Sequence, residues 1–94
     1  MNTMTTKFPL GQLVATPGAL EAMQESGQSP LDFVARHVSG DWGDLCPEDK
    51  QLNEDALKDG DRIFSAYHTA KGVKLYVITE HDRSATTILL PEEY

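Results

Sequence analysis

Arg62-Ile63-Phe64-Ser65-Ala66-Tyr67-His68, Val73-Lys74-Leu75-Tyr76-Val77-Ile78-Thr79-Glu80 and Ala85-Thr86-Thr87-Ile88-Leu89-Leu90 follow one another with only short polar links between them, and Pro91 closes the series. The first segment is aromatic and β-branched and contains no Pro or Gly. The second alternates, with Val73, Leu75 and Val77 on one side and Lys74 and Tyr76 on the other. A period of two argues strands with one buried face. Gly72 supplies the positive φ that a short hairpin loop needs. His81-Asp82-Arg83-Ser84 is polar enough to turn. Pro91 has no N–H to give to a ladder and ends it. Three strands joined this way predict an antiparallel meander over Arg62–His68, Val73–Glu80 and Ala85–Leu90, with one face that must be covered.

The covering material lies upstream. Thr16-Pro17 is a helix start, because Thr caps well and Pro at the first helical position lacks an N–H that had no partner anyway. Ala19, Leu20 and Met23 share a face there, and Gly27 stops the helix. Ser29-Pro30 repeats the signal. Its helix, Pro30–Val38, carries Leu31, Val34 and Val38 on one stripe and Phe33 beside His37 at i, i+4. Cys46-Pro47-Glu48-Asp49 opens a third helix with carboxylates at the positive end of its dipole. Leu52, Ala56 and Leu57 form its thin apolar stripe, Asn53 belongs to its wet face, and Gly60 ends it. Phe8–Val14 reads either as a short edge strand or as an apolar arm across the core. Residues 1–7 are expected to be disordered and residues 8–94 to form a single α+β domain: three short helices packed on one face of a three- or four-stranded antiparallel sheet.

The chain has 94 residues and a net charge of −7. Clustered Lys and Arg give nucleic-acid and anionic-membrane surfaces their affinity, so neither partner is expected. Reading the first two helices as a DNA-binding helix-turn-helix would leave only Arg36 and His37, beside Asp32, to read bases. No apolar run approaches the roughly 18 residues of a membrane span. Cys46 is alone, which fits a reducing compartment and gives no disulfide. A cytoplasmic location is expected.

Two blocks carry a family resemblance. One is Arg36-His37-Val38-Ser39-Gly40-Asp41-Trp42-Gly43-Asp44-Leu45 with Glu48-Asp49-Lys50 and Asn53; the other is Ile78-Thr79-Glu80 with Asp82-Arg83-Ser84 and the run from Ala85 to Tyr94. From Phe8 onward the chain resembles small bacterial proteins described as plasmid-related, some of them labelled type I restriction enzyme subunit. The resemblance implies a link to mobile elements. The chain lacks the glycine-rich cofactor loop of a methyltransferase, so that activity is not expected.

Among chemistry-bearing residues, a ribonuclease would need a base, an acid and a cation for developing phosphate charge. His37 and Glu80 with Arg83 are the candidates for such a catalytic set. The competing reading packs His37 on Phe33 and makes Asp82–Arg83 a hydrogen-bonded turn. The candidate binding residues are Asp41, Trp42 and Asp44, where a sole Trp sits between two glycines, together with Asp82 and Arg83. Trp42 either plugs the core or anchors a partner. Cys46 with His37 gives two ligands, short of the three or four that zinc requires, so no metal is expected. No glycine loop cradles a phosphate, and no cofactor is expected. The leading expectation is a non-enzymatic accessory protein that binds another protein or self-associates through a sheet edge at Ala85–Leu90, unless Phe8–Val14 covers that edge. The alternative is a small nuclease or toxin-like enzyme.

Overall fold

The meander forms in the expected order. In the computed structural model, which describes residues 6–94, β2 (Ile63–His68), β3 (Lys74–Thr79) and β4 (Ala85–Leu89) pair antiparallel, with Ser65 opposite Val77 and Val77 opposite Ile88. Along one face run Ile63, Ser65, Tyr67, Leu75, Val77, Thr79, Thr86 and Ile88, all without solvent exposure. Val73 departs from expectation. It is exposed and closes the hairpin loop instead, its carbonyl accepting the Thr69 N–H at 2.9 Å and its own N–H bonding Thr69 Oγ1 at 3.1 Å.

The segment Phe8–Val14 takes both of its readings. Phe8 packs into the core beside Val38, Trp42, Ala56 and Ile63. Gln12–Ala15 then forms β1, which covers the outer edge of β4 and gives the sheet order β1-β4-β3-β2. β1 runs parallel to β4, with the Gln12 N–H on Ser84 O at 2.9 Å and the Thr16 N–H on Ile88 O at 3.0 Å. The sheet is therefore four-stranded and mostly antiparallel. Ala85–Leu89 lies inside it rather than at its edge, so strand addition there is closed off. Gly11 makes this possible: at φ +64° a Cβ would stand 2.3 Å from Ser84 O.

Three helices lie over the buried face: α1 (Pro17–Glu25), α2 (Pro30–Val38) and α3 (Pro47–Asp59). Each begins at the proline the sequence marks. Thr16 Oγ1 accepts the Ala19 N–H at 3.3 Å, and the Ser29 N–H reaches Asp32 at 2.8 Å. Ala19, Met23, Phe33 and Val34 pack on Tyr67, Leu75, Val77 and Ile88. The buried stripes are rotated from the expected ones. In α2 they are Phe33, Val34, His37 and Val38, while Leu31 is 67% exposed. In α1 Leu20 faces outward and Ala22 inward. In α3 Leu52 is 64% exposed, and Asn53 takes the inward position beside Ala56.

Of the segment 1–7 expected to be disordered, residues 1–5 lie outside the described residues; the Lys7 N–H bonds Val38 O at 2.8 Å. Among the described residues no helix is long and apolar enough to cross a membrane.

Candidate functional site

β2 forms one edge of the sheet, and its outward backbone groups are all but used up. Asn53 on α3 acts like a short piece of strand: its amide donates to Phe64 O at 2.6 Å and accepts the Phe64 N–H at 3.0 Å. One step along, the Ala66 N–H reaches Trp42 O at 3.3 Å and Ala66 O accepts the Asp44 N–H at 2.7 Å. Gly43 allows the approach, since at φ +77° a Cβ would stand 2.0 Å from Ala66 O. An open edge invites unspecific pairing, and this arrangement blunts it. Asn53→Ala removes both Phe64 bonds and leaves those groups half-buried without partners. It is expected to cost about 2 kcal/mol. Urea unfolding together with hydrogen exchange at the Phe64 amide checks this; unchanged stability and protection would refute the role.

The loop that closes the edge contains three of the candidate binding residues. Asp41 pairs with Arg36 at 2.7 Å, which holds its carboxyl below the usual carboxylate range, and its carbonyl accepts the Tyr67 hydroxyl. Asp44 bonds His68 Nδ1 at 2.7 Å. Trp42 is 4% exposed and so belongs to the core. It stacks near Phe8 at 6.3 Å and donates its indole N–H to Glu54 of α3 at 2.8 Å. Asp82 and Arg83 lie elsewhere, in the β3–β4 turn, where Asp82 accepts the Ser84 N–H at 3.0 Å.

The candidate catalytic groups are not brought together. His37 has no solvent exposure. Its Nδ1 lies 2.6 Å from Ser65 Oγ and its Nε2 2.9 Å from Thr79 Oγ1; Thr79 Oγ1 lies 2.7 Å from Thr86 Oγ1, which donates to Leu10 O at 2.8 Å. Only one direction of donation satisfies that chain. Leu10 O can only accept, so the Thr86 hydroxyl is committed to it and Thr79 must donate to Thr86. Thr79 therefore accepts from His37 Nε2–H, and because burial holds the ring neutral the Ser65 hydroxyl donates to Nδ1. The ring is neutral, and burial lowers its pKa from 6.5 to about 3. Its aromatic neighbours are Phe8 at 5.2 Å and Trp42 at 6.0 Å, not the expected Phe33, which packs on Tyr67.

Arg83 serves the backbone. It sits at φ +60° and sends its guanidinium to four carbonyls, those of Asp61, Glu80, His81 and Ala56. The Ala56 and Asp61 bonds tie the turn to the negative end of α3, a favourable place for a cation. The Glu80 carboxylate points to Arg62, 3.7 Å away. A buried neutral imidazole and a guanidinium engaged by main chain leave no acid–base pair facing a common point. Among the described residues no group of three or more His, Cys, Asp or Glu is placed to hold a metal.

What the molecule does offer to solvent is a groove of about 320 Å³ between α3 and the β2 edge, lined by Leu45, Asp49, Leu52, Asn53, Arg62 and Phe64. Phe64 also belongs to the sheet face opposite the helices, where Ile78 and Leu89 are buried. There Phe64 packs on Tyr76 at 4.6 Å, and Tyr76 meets Tyr94 edge-on at 6.2 Å. Arg62 links groove and face by donating to the Tyr94 hydroxyl at 3.2 Å. The sequence signal for this site was Leu52 itself, an apolar residue in an otherwise polar helix turn. No protein-family model, curated protein or solved structure matches the chain.

Proposed function

We propose that this chain is a non-enzymatic cytoplasmic accessory protein that acts by binding another protein, in the mobile-element setting that its resemblance to plasmid-related proteins suggests. One observation carries the reading. His37 is buried in the fold and the Arg83 guanidinium is engaged by main chain, while an apolar groove with the exposed Leu52 stands open beside the half-buried aromatics Phe64 and Tyr76. Apolar surface rimmed by polar residues is the usual mark of an interaction site.

Metal-free purified protein incubated with RNA and with DNA is expected to leave both intact. Cleavage by the wild type that is lost in Glu80→Gln, a surface change that leaves the core untouched, would replace the binding reading with the nuclease one. A pull-down from the native host with wild type and Leu52→Asp in parallel supplies the positive arm: the partner is expected with the wild type only.

A further inference from the structure

The groove and the charge around it specify what would fit there. Leu52 projects from α3 with 64% of its surface exposed, and its helical neighbours at i−4, i−3 and i+3 are Glu48, Asp49 and Asp55, all exposed. Residues three and four apart on a helix are surface neighbours, so the apolar contact point is ringed by carboxylates. Among the described residues neither Glu48 nor Asp49 has an ion-pair partner. The charge is concentrated here: residues 44–61 hold seven Asp and Glu against Lys50 and Lys58, a net −5 of the chain's −7. Among the described residues Arg62 is the one cation lining the groove, and it is already engaged by Glu80 and by the Tyr94 hydroxyl. Tyr94, 71% exposed beside Arg62, adds an aromatic face that attracts cations.

We infer that the groove receives a basic amphipathic segment of a protein partner, whose apolar side chains seat on Leu45, Leu52 and Phe64 while its Lys and Arg meet the surrounding carboxylates. The inference rests on the binding reading above and names the partner's chemistry. A second copy of this chain is a poor occupant, because it would bring the same acidic surface against itself. A nucleic acid is repelled for the same reason. A helix laid by its apolar face into a groove, with charge setting orientation, uses both features at once.

The test uses model peptides. A helical Lys/Leu amphipathic peptide, its Glu/Leu counterpart and a scrambled Lys/Leu sequence are titrated into the full chain, followed by amide chemical shifts. The Lys/Leu helix is expected to bind, to shift amides of α3 and β2, and to weaken as salt is raised. The Glu/Leu peptide is expected not to bind, and the scrambled one to bind more weakly. Leu52→Ser keeps every charge and removes only an exposed side chain, so it folds; it is expected to weaken binding about tenfold, as loss of an apolar anchor does. Absence of binding at low salt, equal affinity for wild type and Leu52→Ser, or shifts that map to β1 or α1 would each overturn the inference. If RNA and DNA remain uncut in the parallel assay, such a failure removes the basic partner and leaves the binding reading standing.

Discussion

Mild acid is expected to destabilise this protein through His37. The ring is enclosed by Phe8 and Trp42, bonded at both nitrogens by neutral hydroxyls, and has no carboxylate against it to compensate a proton. Its folded pKa is about 3 against an ordinary 6.5. Below pH 6.5 the unfolded chain takes a proton that the folded chain refuses, so stability falls as pH falls, through the window between those two values. The slope for one proton is about 1.4 kcal/mol per pH unit. From pH 6.5 to 4.5 that amounts to roughly 2–3 kcal/mol, a large part of what a domain of this size has. Asp41, Asp82 and Glu93 also have lowered values and push in the same direction, but they act at and below the ordinary carboxylate range. The interval above pH 4.5 therefore sets His37 apart from those carboxylates. His37→Gln cannot titrate and keeps a donor for Thr79. It should be less stable at pH 7, yet nearly flat from pH 6.5 to 4.5. Urea unfolding at a series of pH values reads both curves; a wild type that is flat over the same interval would show that the ring takes its proton inside the fold.

The surroundings of His37 were half legible in the sequence. Strand parity puts Ser65 between Ile63 and Tyr67, Thr79 two places after Val77, and Thr86 two places before Ile88, so three small hydroxyls fall on the buried face. A buried polar group must be bonded, and a histidine reaching that face from a helix is what bonds them. Reading His37 as half of an acid–base pair with Glu80, or as packed on Phe33, missed this because helical spacing alone does not say which arc faces the sheet. The same ambiguity misplaced Leu31 and Leu52. Four-residue periodicity groups them with the apolar stripe, yet α2 turns Phe33, Val34, His37 and Val38 inward. α3 turns Asn53 inward because the Phe64 N–H and carbonyl at the β2 edge need an amide more than a leucine. The meander and all three helix starts were legible because alternation, Thr16-Pro17, Ser29-Pro30 and Cys46-Pro47 are local signals. The pairing of β1 was not. A parallel partner separated by almost the whole chain leaves no local trace beyond Gly11, whose need for a bare backbone appears only when Ser84 is beside it.

Trp42→Ala is expected to cost about 3–5 kcal/mol, the range for truncating a large buried aromatic side chain. The residue is 4% exposed and joins Phe8, Val38, Ala56 and Ile63, so it closes the second half of the core where arm, α2, α3 and β2 converge. Its indole N–H holds Glu54 at 2.8 Å, fastening α3 to the loop that guards β2. The main-chain bridge to Ala66 survives the substitution, so the loss comes from the side chain. Trp42→Phe separates its parts. Phe keeps most of the apolar contact with Phe8 and His37 and gives up only the bond to Glu54, whose carboxylate is exposed enough to return to water. The cost should then be about 1 kcal/mol. Because α3 carries Leu52 and Asp49, the alanine variant is also expected to loosen the groove, and the phenylalanine variant to leave it intact. Wild-type emission should lie well to the blue of free tryptophan, and urea unfolding should rank wild type, Trp42→Phe and Trp42→Ala in that order. Emission like that of free tryptophan, with Trp42→Ala as stable as the wild type, would move Trp42 out of the core and onto the binding surface.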